Sequence, residues 1–272
     1  VHTAPGHGFD DYSLAHNYNV EVVSPVDAAG RYRLDELPSH LHELLTECET
    51  GLACQVLEPS TSKVILDRLQ TLGMLSCSYD YTHSYPYDWR SKKPVIIRAT
   101  PQWFADLHDV KEDAIKSLEK VKFYPDRGNA RLSSFIKNRN EWCISRQRSW
   151  GVPIPAFYKK DDPDVTLMTE ETVAHVIQVI REKGIDAWFK FDDSNMADWL
   201  PPRYKNEANS YYRGKDTMDV WFDSGTAWNE LKDFYLKELK LKQLPTYLAD
   251  VYLEGSDQHR GWFQSSTLTR VA

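Results

Sequence analysis

The sequence predicts an α/β fold built in two pieces, with a break near residue 100. Three observations carry this. Short apolar runs, PVIIRAT (94–100), TMDVWFDSG and TYLADVYLEG, alternate with segments of helical apolar spacing. The last two runs close on a glycine turn bearing polar side chains, the place where open α/β sheets bind ligands. From residue 101 the texture also changes, with many Arg and Asn residues and a polar insertion around 155–215.

Taken in order, residues 1–10 read as a strand end and a Gly-rich turn. Residues 10–19 read as a short helix, capped by Gly8 or Asp10, with Asp11 in its first turn where a carboxylate suits the dipole. PVDAAGRYR is a turn between extended segments. LPSHLHELLTEC and STSKVILDRLQTLGML both carry helical spacing, and Gly73 ends the second. PVIIRAT is a strand. PQWFADL starts a helix with Pro in its first turn, and VKEDAIKSLEKV is an amphipathic helix. ARLSSFIKNRNEWCISRQRSWG is a long polar helix or helix-loop, and 160–170 an acidic loop. TEETVAHVIQVIREKG is a helix with Thr169 as N-cap and Gly184 as C-cap. Residues 192–215 are irregular and polar. TMDVWFDSG and TYLADVYLEG are buried-type strands.

Composition narrows the class. At 272 residues with 41% apolar residues, the chain can bury one large core or two smaller ones. Nine Trp and 15 Tyr are enough to line pockets as well as cores. No run of 18 apolar residues argues for a membrane span, and VHTAPGHG lacks the parts of a signal peptide. The start, without Met and in the middle of a strand, predicts a piece of a longer protein. Cys48, Cys54, Cys77 and Cys143 form no C-x-x-C, which argues against a zinc knuckle or a disulfide framework and for a reducing compartment. A net charge of −7 gives no general attraction to nucleic acid, so RNA contact must come from local basic patches.

Four constellations carry chemistry. In YLEGSDQHRGWF (252–263), Gly255 allows close backbone approach, Glu254 ends an apolar run, and Asp257 and Gln258 can meet ribose hydroxyls or an ammonium group. An ordinary strand-turn-helix with Asp257 as N-cap explains the same residues. In MDVWFDSG (218–225), Trp221 is either core or the edge of an apolar pocket, with Trp262 at the corresponding place in the next unit. In HTAPGHGFDDY (2–12), the His and Asp spacing fits no zinc motif. An acidic helix cap competes there with a hydrolytic or amine-binding pocket using His2 and Asp11. In KNRNEWCISRQRSWGVPIP (137–155), Arg139, Arg146 and Arg148 interleave with Trp142 and Trp150, which suits RNA backbone and stacking or else a solvated helix face.

Their order and spacing together resemble the isoleucyl-tRNA synthetases, class I aminoacyl-tRNA synthetases of the bacterial and organellar branch. The motifs are HTAPGHGxDDY, PxxWRxKKPVIIRATPQWF, EWCISRQRxWGVPIP, DVWFDSG and YLEGSDQHRGWF, and the likeness runs along the whole chain, weakest over 160–215. The resemblance implies that residues 1–100 are the C-terminal part of an inserted editing domain. It implies that 101–272 return into the second half of a Rossmann-type catalytic domain. The HIGH motif and threonine-rich editing strand would lie upstream, and the KMSKS loop and anticodon-binding domain downstream. It implies that Glu254, Gly255, Asp257 and Gln258 contact the aminoacyl-adenylate, and that Trp221 and Trp262 line the isoleucine pocket. His2 and Asp11 would be the editing pair, Asp11 holding the α-amino group and His2 excluding isoleucine. The stretch 145–148 would lie near the tRNA acceptor end. ATP with Mg²⁺ would be co-substrate, with no protein-bound zinc. The partners would be tRNA(Ile) and isoleucine, with no membrane, in a monomer of the mitochondrial matrix or bacterial cytoplasm. A valyl-type enzyme, or for this piece alone a non-catalytic RNA-binding fragment, are the rival readings.

Overall fold

The structure, a computed structural model, describes residues 2–47, 50–190 and 195–272, so Cys48 and residues 192–194 of the expected polar insertion lie outside the described residues. The chain divides into two compact units, Val1–Pro101 and Gln102–Ala272.

In the first unit, α1 (Phe9–Tyr18) starts at Gly8 and stops at Asn19. Asn19 is left-handed at φ 53°, a conformation its short polar side chain tolerates, and its N–H closes on Ala15 O and His16 O. Residues 2–8 form a turn with no strand, contrary to the strand end read there. The PVDAAGRYR turn is present. Asp27 Oδ1 accepts from Ala29 N at 2.8 Å and Arg31 N at 2.9 Å, and Val26 bridges Tyr32. The described part of LPSHLHELLTEC, residues 37–47, is no α-helix: a 3₁₀ turn at Leu34–Glu36 precedes it, Pro38 follows an extended Leu37, and the helical pattern yields only a second 3₁₀ turn at Ser39–Leu41. The second predicted helix, α2 (Pro59–Thr71), forms with Pro at its start. PVIIRAT forms no strand. Pro94 bridges Tyr87, and the run beyond it is tied to the 2–8 loop by Ala99 N on Gly6 O at 2.7 Å.

In the second unit, PQWFADL is a strand rather than a helix. β1 (Phe104–Asp106) pairs antiparallel with β2 (Glu141–Cys143), and this long-range pairing overrides the local Pro signal. Next come α3 (Lys111–Leu118) and α4 (Arg127–Lys137), which bury Ala114, Leu118, Leu132 and Ile136 around Trp142. The predicted long polar helix thus ends at Lys137. The rest of that stretch is β2 and β3 (Ser145–Arg146). β4 (Phe157–Lys159) is the centre of an antiparallel sheet between β5 (Thr166–Leu167) and the later β6 (Tyr211–Arg213). α5 (Glu170–Lys183) packs on this sheet together with α6 (Met196–Trp199). Residues 195–215 are therefore not irregular. Trp199, Leu200 and Tyr211 are buried with Phe157 and Trp188, and the Arg213 guanidinium lies over both indoles, 5.0 Å from Trp199 and 5.8 Å from Trp188. β7 (Thr217–Met218) pairs with β3, and the chain turns at once into α7 (Val220–Gly225) and α8 (Ala227–Asp233), so VWFDSG is helix and not strand. Residues 250–255 form no strand, and Val251 and Leu253 are 77% and 87% exposed. α9 (Trp262–Val271) packs against α7. The strand pairs among the described residues are antiparallel, and no described helix is long and apolar enough to cross a membrane.

The caps read from sequence on α5 hold. Thr169 accepts from Thr172 N at 3.3 Å, and Thr172 Oγ1 accepts from Thr169 N at 2.8 Å in a reciprocal capping box. Thr169→Ala is expected to lower the stability of this unit by about 1 kcal/mol, read as a lowered urea midpoint with an unchanged slope.

Candidate functional site

The second unit assembles its candidate site from two helix starts. β3 lies in register with β7, Arg146 opposite Thr217, which brings Asp219 beside the ISR segment. Asp219 N donates to Ile144 O at 2.6 Å. Its buried carboxylate spends both oxygens: Oδ1 accepts from Trp221 N at 3.2 Å, and Oδ2 from Trp142 Nε1 at 3.0 Å and Arg146 Nη2 at 2.8 Å. Asp219 is thus the N-cap of the helix that carries Trp221. Arg139 sits nearby, donating to Gln264 Oε1 at 2.8 Å. Burial pushes its guanidinium pKa down, with Asp219 opposing and Arg260 and Arg146 adding to the fall.

Trp221 keeps 40% of its surface exposed, so it is not core. It stands over Gly261, where a Cβ would come 3.4 Å from its ring and would collide with Gln258 Oε1. That oxygen accepts from Trp262 N at 3.0 Å. The Trp262 indole N–H donates to Ser224 O at 3.0 Å, tying the start of α9 to α7, and Tyr252 stacks on the Trp262 ring at 5.1 Å. Trp221, Gln258 and Trp262 are therefore brought together. Glu254, Gly255 and Asp257 lie exposed beside them. Asp257 caps no α-helix. It lies inside a 3₁₀ turn, Ser256–Arg260, and its Oδ2 accepts from Gln258 Nε2 at 3.1 Å. A Cβ on Gly255 would lie 2.7 Å from Asp257 Oδ1, so glycine is what lets the carboxylate fold back over the backbone.

The basic segment divides. Trp142 is core and Arg146 and Arg139 are bonded internally, whereas Arg148 is exposed and Trp150 is 89% exposed. Sequence reasoning missed Asp219, Tyr252 and the buried His259. His259 Nδ1 bonds Ser256 O at 2.7 Å and its ring packs edge-on to Phe263 at 5.4 Å. The signal for Asp219 was an Asp directly before a helix, hidden because VWF looked like a strand.

In the first unit, Asp11 Oδ2 accepts from Ala4 N at 2.9 Å, and Ala4 O accepts from His7 N at 2.9 Å. His7 Nδ1 bonds Ile97 O at 2.8 Å. The HTAPGHG loop is thus folded onto Asp11, with His2 exposed two residues from the bonded peptide. Among the described residues no group of three or more His, Cys, Asp or Glu is placed to hold a metal ion.

A family model described as tRNA synthetases class I (I, L, M and V) matches residues 16–272. The chain belongs to this class I tRNA synthetase family. Among its relatives, "Isoleucine--tRNA ligase, mitochondrial" of Saccharomyces cerevisiae is 60% identical over 273 residues, covering 100% of this chain and 27% of the relative. "Isoleucine--tRNA ligase" of Synechocystis sp. is 45% identical over the whole chain and 25% of its own length, and that of Rippkaea orientalis 45% over the whole chain and 26%. The chain spans about a quarter of the length of these relatives. Within this class I synthetase chain, Trp221, Trp262 and the EGSDQ turn are held by helix starts rather than by strand ends.

Proposed function

We propose that the protein containing this chain is an isoleucine–tRNA ligase. Residues 1–100 would be the C-terminal part of its editing domain, and 101–272 the second half of its Rossmann-type catalytic domain. The observation that carries the reading is the joint placement of Trp221 and Trp262 about Gly261 and Gln258, in a chain 60% identical to a relative of that name. Two indole faces select an apolar side chain by shape, and the polar groups of 254–258 suit an adenylate. In this reading isoleucine carboxylate attacks the α-phosphate of ATP, breaking the α–β phosphoanhydride to give isoleucyl-adenylate and pyrophosphate, with Mg²⁺ arriving on the nucleotide as part of the co-substrate. The adenylate then passes its acyl group to the 3′-terminal ribose of tRNA(Ile). The chain's contribution is positioning and charge stabilisation. Exposed Arg148 and Trp150 suit contact with the tRNA acceptor end. The relatives' names favour a mitochondrial matrix or bacterial cytoplasmic protein, and we take it as monomeric.

An apolar pocket separates isoleucine from valine by only ~1–3 kcal/mol, a magnitude measured on isoleucyl enzymes themselves and not obtained from this fold. Valine therefore enters, and a second, hydrolytic site is required. His2 and Asp11 are assigned to it. The test is ATP–pyrophosphate exchange by the full-length protein with isoleucine against valine. Stronger exchange with isoleucine supports the reading, and preference for valine replaces it with the valyl-type alternative. The 272-residue chain alone should be silent. In the full-length protein, Trp221→Ala should raise the isoleucine KM about tenfold and erode the preference over valine, because one wall of the slot is gone. Unchanged kinetics in a folded, destabilised variant would reduce Trp221 to a packing residue with no part in selection.

A further inference from the structure

We infer that Asp219 is a positioning residue for amino-acid selection, acting through Trp221 and linking it to Arg146. The inference rests on the reading of Trp221 as a pocket wall. Three donors from three places in the chain converge on one buried carboxylate: the Trp221 backbone N–H, the Trp142 indole N–H and the Arg146 guanidinium. The Asp219 side chain is 7% exposed and that of its partner Arg146 34%, so the ion pair sits at the inner edge of the site. A buried carboxylate with both oxygens occupied has one low-energy orientation. That orientation fixes the Trp221 N–H, the second of α7, and with it the direction in which the Trp221 ring leaves the helix. The same carboxylate meets Arg146 on β3, in the segment assigned to the acceptor end. A shift of Arg146 on that side therefore pulls directly on the cap that aims Trp221.

The chemistry of the site makes the inference testable without removing the side chain. Asparagine has the shape of aspartate but one acceptor oxygen in place of two. In either amide orientation it turns an NH₂ toward groups that are themselves donors. It can keep the cap or keep Trp142 and Arg146, but not all of them.

The experiment uses the full-length protein and three variants, Asp219→Asn, Asp219→Glu and Trp221→Ala, each assayed for isoleucine- and ATP-dependent pyrophosphate exchange and for thermal midpoint. Asp219→Asn should raise the isoleucine KM about tenfold while the ATP KM moves less than about twofold. A purely structural role would lower the midpoint and move both constants or neither. Asp219→Glu, which keeps charge and both acceptors, should recover part of the isoleucine KM. If Trp221→Ala raises the isoleucine KM and folded Asp219→Asn does not, this inference falls and the pocket stands. If Trp221→Ala leaves it unchanged, the pocket reading falls first.

Discussion

Asp257→Ala in the full-length protein should lower isoleucine-dependent pyrophosphate exchange about 10- to 100-fold while leaving the fold intact. Asp257 is exposed, and the hydrogen bond it accepts within the chain comes from the neighbouring Gln258 side chain. Truncating such a residue costs the fold within about 0.5 kcal/mol. On the proposed reading its value lies in what it offers a ligand. A carboxylate folded back over Gly255, beside the Trp221 and Trp262 pair, can accept from ribose hydroxyls or the amino-acid ammonium. A hydrogen bond to a charged group contributes about 1.5–3 kcal/mol, which sets the range of the rate loss. Gln258 is a poorer probe, because its Oε1 also holds the Trp262 N–H and its loss would disturb the pocket wall. The measurement is exchange kinetics together with the thermal midpoint. Exchange within twofold of the parent would reduce Asp257 to an ordinary turn residue.

What was legible in the sequence was local. α5 could be read to its caps, because Thr169 and Gly184 signal their roles through chemistry confined to one helical turn. The misread elements were those decided by partners far along the chain. PQWFADL carries a helix-start proline, but pairing with residues 141–143 makes it β1. The core of Trp199, Leu200 and Tyr211 follows no period, so a segment that buries two indoles against Arg213 looked merely polar. LPSHLHELL has the spacing of a helix but makes only a 3₁₀ turn at Ser39–Leu41, and Thr46 just beyond it bridges Ala53. The site shows the same division. Trp221, Gln258 and Trp262 stood out as residue types in their motifs. Asp219 stayed hidden, because its bond to Arg146 spans 73 positions and no local pattern announces it.

Editing is where the second large effect is expected, and the geometry of Asp11 dictates how to test it. Asp11 does two things at once. In the first turn of α1 its Oδ2 accepts from Ala4 N at 2.9 Å, which clamps the HTAPGHG loop, while among the described residues its Oδ1 has no hydrogen-bond partner. The helix dipole favours a negative charge at this place. An ionised carboxylate with a free oxygen can pair with the α-ammonium group common to every aminoacyl-tRNA. It supplies affinity and orientation but no selectivity, which must come from size, and His2 is the residue assigned to meet the isoleucine side chain. The two residues should therefore fail differently in the full-length protein. Asp11→Ala should slow clearance of valyl-tRNA about 100-fold, the loss of a charge-assisted contact of the upper strength, with isoleucine activation unaffected. His2→Ala should instead let the site hydrolyse correct isoleucyl-tRNA. Asp11→Asn separates clamp from charge, since its amide oxygen can still accept from Ala4 while the negative charge is gone. If Asn clears valyl-tRNA like the parent and Ala does not, Asp11 acts as a loop clamp. If both variants lose clearance alike, the charge is the working group. If Asp11→Ala clears valyl-tRNA at the parent rate, Asp11 is a helix residue only and the editing assignment fails.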